Sequence, residues 1–139
     1  TALAVADRTL DDAWVRILPS TEHVGYRDTF GSGFTSPGDL DADGVPDFAL
    51  ADANWDEWTE DDSTGRAYVF FGASLVGGTL GTDEADAIFT SDLPGQQLGY
   101  AFGGGDVDGD CVDDLVIGST GDGALPDAGR SWVMLSPFG

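Results

Sequence analysis

Short apolar runs recur along the chain, rich in β-branched and aromatic residues, each bounded by Gly, Pro or Asp. No segment keeps a helical period over three turns, and short runs with turn residues at both ends read as strands. Strands are expected at 2–6, 13–18, 22–26, 30–35, 47–52, 66–71, 86–90, 98–103, 114–118 and 130–135. The predicted fold class is all-β.

The pattern repeats. Phe30-Gly31-Ser32-Gly33-Phe34 followed by Gly38-Asp39-Leu40-Asp41-Ala42-Asp43-Gly44-Val45-Pro46-Asp47-Phe48-Ala49-Leu50 matches Leu98-Gly99-Tyr100-Ala101-Phe102 followed by Gly105-Asp106-Val107-Asp108-Gly109-Asp110-Cys111-Val112-Asp113-Asp114-Leu115-Val116-Ile117. Asp39 and Asp106 lie 67 residues apart. Each block leads through a loop to a second apolar run, Gly65–Phe71 or Gly129–Leu135. Leu3–Asp7 and Asp12–Leu18 match the back half of the same unit. The chain therefore divides into a partial repeat at 1–29 and further repeats at 30–97 and 98–139. Four strands per repeat is the content of a propeller blade. About two and a half such blades form an incomplete propeller or an open repeat array, with sheet edges and faces that need neighbours.

The loops 39–47 and 106–114 carry the candidate chemistry. Carboxylates stand at positions 1, 3, 5 and 9: Asp39, Asp41, Asp43 and Asp47, then Asp106, Asp108, Asp110 and Asp114. Alternate spacing in a tight loop turns every second side chain toward one centre. The position-7 carbonyls of Val45 and Val112 would add an oxygen. An oxygen-only, flexible cage suits Ca²⁺, so two calcium sites are expected. An EF-hand is rejected because position 12 is Leu50 or Ile117 rather than Glu, and the flanks read as strands. Position 6 is Gly44 in one loop and Cys111 in the other, where strain or a different turn is expected.

Composition narrows the partners. The 139 residues carry 22 Asp, 4 Glu, 5 Arg and no Lys, for a net charge of −21. Such a surface repels a phosphate backbone, so nucleic acid is not an expected partner. No run is long and apolar enough for a membrane helix, and the start lacks the features of an intact signal peptide. With no initial Met, processing or a piece cut from a longer chain is expected. One Cys and one His make neither an intrachain disulfide nor an ordinary zinc site.

The order Phe-Gly, Gly-Asp-x-Asp-x-Asp-Gly-x-x-Asp, apolar strand, then Gly-x and a second apolar strand resembles the FG-GAP repeat of integrin α-subunit β-propellers and bacterial surface proteins. The resemblance covers nearly the whole chain. Departures are Leu98 for Phe, Cys111 for Gly, and no Gly-Ala-Pro after the second strand. The resemblance implies four-stranded antiparallel blades with calcium between the first and second strands. It also implies an extracellular or cell-surface location and a structural, adhesive or self-assembly role. Expected partners are further copies in a head-to-tail oligomer, ring or filament, or the remainder of a longer chain. Integrin-type ligand binding is not implied, because nothing here matches the residues that perform it.

The remaining candidates have plainer readings. Trp55 and Trp58 sit in an acidic loop and are read first as packing beneath it; binding a glycan or protein ligand is the alternative. Trp14, Tyr68 and Trp132 share a register and are expected in the core. Cys111 is expected to be a small buried or semi-buried side chain, and His23 a strand or turn residue. No nucleophile elbow or phosphate loop appears, and no pair of carboxylates stands out for acid–base work, so an enzyme is not expected.

Overall fold

The structure, a computed structural model, describes residues 9–20, 29–56, 63–121 and 128–138. These residues form nine strands: β1 (Val15–Leu18), β2 (Gly33–Gly38), β3 (Asp47–Asp52), β4 (Arg66–Phe70), β5 (Gly78–Gly81), β6 (Ala87–Thr90), β7 (Ala101–Gly105), β8 (Asp114–Ser119) and β9 (Arg130–Met134). Short 3-10 turns stand at Leu10–Asp12, Gly72–Ser74 and Thr82–Glu84, and there is no α-helix among the described residues. The all-β expectation therefore stands. The predicted strands 2–6 and 22–26 lie outside the described residues.

A central antiparallel sheet has the order β2-β3-β4-β6, and a third sheet the order β7-β8-β9. Successive side chains of a strand point to opposite faces. In the central sheet Phe48 pairs with Phe70 and Leu50 with Tyr68, which places these large side chains on one face, here called the back. Ala49, Ala51, Ala67 and Val69 occupy the opposite, front face. The third sheet repeats the scheme, with Leu115, Ile117, Trp132 and Met134 on its back and Val116, Gly118, Ser131 and Val133 on its front.

The core joins the back of the third sheet to the front of the central one. Ala49, Ala67, Val69, Leu115 and Ile117 are buried together with Leu40 and Leu98, and Phe89, Trp132, Met134 and Phe138 pack around them. Large side chains meeting small ones let the layers interdigitate at native density. Burying Leu115 and Ile117 is worth roughly 1.5–3 kcal/mol each. Toward the other end, β2 and β7 approach closely through glycine. A methyl group at Gly104 would run into Pro37, and one at Gly33 into the Gly99 carbonyl.

The first sheet pairs β1 with β5 in parallel, Ile17 opposite Leu80. β5 falls in a segment expected to be loop. Gly78-Thr79-Leu80-Gly81 has one apolar residue and no alternation, so β1 supplies its pairing. Past β5, the Thr82 hydroxyl accepts the Ser20 N–H at 2.9 Å and so holds the chain leaving β1 beside the chain leaving β5. The Phe30-Gly31 and Leu98-Gly99 openings are turns rather than strand starts, with φ of +82° at Gly31 and +89° at Gly99.

Trp14 corrects an expectation. Tyr68 is buried and Trp132 half-buried, but Trp14 is 67% exposed. Trp132 packs on the cluster that includes the front of the central sheet, and Tyr68 meets the Phe30 ring edge-on at 6.0 Å, whereas no described sheet lies over the face that carries Trp14. The sheets do not close into a ring among the described residues. Where β6 flanks β4 in the central sheet, β9 is instead flanked by an open groove of about 480 Å³ lined by Phe89, Ile117, Trp132 and Met134.

Candidate metal centres

Both acidic loops connect the first two strands of an antiparallel sheet, β2 to β3 and β7 to β8. Their internal hydrogen bonds correspond at positions 5, 6 and 7, and the second loop adds one from the Gly109 N–H to Asp106 at 2.6 Å. The position-1 carboxylate accepts the N–H groups of positions 5 and 6. Asp39 accepts them from Asp43 at 3.1 Å and Gly44 at 2.8 Å, and Asp106 from Asp110 and Cys111 at 3.0 Å each. The position-3 carboxylates, Asp41 and Asp108, accept from Asp43 and Asp110, each at 3.2 Å. Asp43 and Asp110 accept from Val45 and Val112 at 2.7 and 2.8 Å, which fixes the residues whose carbonyls are the expected position-7 oxygens.

Positions 4 and 6 turn through left-handed backbone in both loops. Ala42 has φ of 63° and Gly44 of 88°; Gly109 has 85° and Cys111 of 74°. Cys111 thus follows the same turn as Gly44 instead of a different one. It is exposed rather than buried, because this turn sends its Cβ outward; a Cβ built on Gly44 likewise meets nothing within 4 Å.

Position 9 is an internal anchor. Asp47 and Asp114 are each 1% exposed. Asp47 accepts the Leu40 N–H at 2.6 Å and the Gly72 N–H at 2.8 Å. Asp114 accepts the Val107 N–H at 2.8 Å and the Ser136 N–H at 2.9 Å. Each aspartate thereby ties its loop to the end of the sheet's third strand. Burial raises the pKa of Asp47 against its two backbone hydrogen bonds, and the Asp39 and Asp43 charges add to the rise. For Asp114 the Ser136 and Val107 hydrogen bonds outweigh burial and lower the pKa. Asp41 is raised, by desolvation first and then by the Asp43 and Asp47 charges.

Of the predicted ligands, the structure gathers Asp39, Asp41 and Asp43 in one triad and Asp106, Asp108 and Asp114 in another, with one carboxylate oxygen from each residue within 4.8 Å of the others. Asp47 stands outside the first triad and Asp110 outside the second. Either triad can hold a metal ion. The donors are all hard oxygens, and a carboxylate that accepts one or two N–H groups keeps lone pairs for a cation, so the residues fit calcium. Asp113 was not legible as part of this region. It joins the loops: its carboxylate accepts the Asp39 N–H at 3.0 Å, and its own N–H donates to the Asp39 carbonyl at 3.2 Å. The one available hint was the Asp113-Asp114 doublet, where the first loop has Pro46-Asp47.

Trp55 is 3% exposed. The Arg66 guanidinium lies 3.4 Å above its ring centroid, a cation–π contact that closes the ring off. Its carbonyl accepts the Gly65 N–H at 3.0 Å and the Thr64 hydroxyl at 2.8 Å, so the tryptophan is buried and tied to the residues that lead into β4. Trp58 and His23 lie outside the described residues.

No family model matches the chain, and no curated protein matches it. The fold and these centres define an all-β chain with two repeated carboxylate loops.

Proposed function

We propose that the chain is an extracellular calcium-binding module of FG-GAP, β-propeller type with a structural, adhesive or self-assembly role. The supporting observation is the agreement of two loops 67 residues apart in hydrogen bonding, in left-handed positions and in the buried position-9 aspartate. Chance acidic turns have no reason to share all three. Asp39, Asp41 and Asp43 would hold one ion and Asp106, Asp108 and Asp114 the other. Asp47, Asp110 and the carbonyls of Val45 and Val112 complete the proposed ligand set. A bound ion supplies positive charge where carboxylates crowd, and so stiffens the turn between the first two strands of a blade. The protein's part is to hold those carboxylates in place through the N–H groups of positions 5, 6 and 7. Further copies of the chain, or the rest of a longer one, would serve as neighbouring blades.

Native mass spectrometry and calorimetric titration with Ca²⁺ test this. Two ions per chain are expected, falling to one in Asp39→Asn and one in Asp106→Asn. A chain that takes up no calcium at millimolar concentration overturns the proposal.

A further inference from the structure

Among the described residues a large back face packs on a small front face once, and the two halves recur unpaired at opposite ends. At one end the first sheet turns its front, Ile17 and Leu80, toward the molecule, with Leu80 buried. Its back carries Trp14 at 67% and Leu18 at 53% exposure. At the other end the third sheet turns its large back face into the core. Its small front face carries Val133 at 50% exposure, beside exposed Ser131, with Leu135 just past the strand at 53%.

We propose that the Trp14 face of one copy docks on the Val133 face of a second copy. The template is the internal contact in which Trp132, the repeat equivalent of Trp14, packs on the cluster containing Ala67 and Val69. Ser131 and Val133 are the repeat equivalents of Ala67 and Val69. The second copy thus meets a surface of the kind its own tryptophan-bearing strand is shaped to cover. Few like charges meet at the strands themselves despite a net −21: β1 and β9 contain none of the 26 acidic residues, and the Asp11 carboxylate beside Trp14 is paired with Arg16 at 3.0 Å. The two faces differ, so the contact is heterologous and can propagate head to tail. This inference rests on the repeat-module reading and specifies the surface through which modules meet.

Sedimentation velocity of the full chain in millimolar Ca²⁺ and about 0.15 M salt tests it, with calcium stoichiometry measured on every variant. The wild type should grow beyond a dimer as concentration rises. Trp14→Ser should weaken association about thirtyfold, the loss of an interfacial tryptophan hot spot. Val133→Asp should weaken it similarly, and Ser131→Trp provides a second block of that face at an exposed position. All should keep their calcium. An equimolar mixture of Trp14→Ser and Val133→Asp retains one intact face of each kind, and should form a dimer that grows no further. A wild type that stays monomeric, or stops at a symmetric dimer, overturns the proposal, as does a Trp14→Ser chain that assembles normally. Loss of calcium stoichiometry in the wild type would instead strike the functional reading alone.

Discussion

Cys111 carries a backbone conformation that L side chains adopt at a cost of about 1–2 kcal/mol, part of which a glycine gives back through its freer unfolded chain. Cys111→Gly should therefore stabilise the protein by about 1 kcal/mol in urea denaturation. Gly44→Ala should lose a comparable amount through φ alone, since nothing lies within 4 Å of the added Cβ. Equal stability of either variant with the wild type would show that the left-handed turn is not maintained in solution. Tyr68 makes a second prediction. Burial raises its pKa above the ordinary 10.0, with Arg66 pulling the other way. The folded state then favours the protonated phenol. That contribution is complete below about pH 10 and is lost as pH rises through the folded pKa. Stability should fall more steeply above pH 10 in the wild type than in Tyr68→Phe; parallel urea midpoints from pH 7 to 11 would count against a buried phenol.

At the scale of elements, Asp47 connects its loop to the far end of β4 through two backbone N–H groups. Asp47→Ala leaves the buried Leu40 N–H and the part-buried Gly72 N–H without their acceptor and should cost about 2–3 kcal/mol. Denaturation in EGTA isolates this role from any metal; a loss below about 1 kcal/mol there would mean the anchor is not formed. The elements differ in how legible they were. β3 spans the predicted 47–52, because Asp47-Phe48-Ala49-Leu50-Ala51-Asp52 alternates and ends at turn residues. The acidic loops were legible because their chemistry lies in sequence spacing. β5 was not, since its pairing partner is more than 60 residues away and four residues with one leucine carry no period. Trp14 was misjudged because register shows which face a residue takes, not whether another sheet covers that face. Asp113 showed only as one half of a doublet, because its partner Asp39 comes from the other repeat.

At the scale of the whole molecule, two ions would cancel four of the 21 net negative charges and, at calcium a hundredfold above Kd, add about 2.7 kcal/mol per site. The melting temperature should drop on adding EGTA and recover on restoring calcium, with roughly half the shift lost in Asp106→Asn. A midpoint indifferent to EGTA would remove calcium from the stability of this fold. The parallel pair β1–β5 bears on how such a chain can be cut. β5 belongs by sequence to the repeat at 30–97, yet in space it completes the sheet begun by β1. A truncation placed between residues 29 and 30 separates two segments that share backbone hydrogen bonds. The unit that recurs is therefore not the unit that can be excised, and a recombinant boundary for one module has to run past Gly81 to keep the preceding sheet whole.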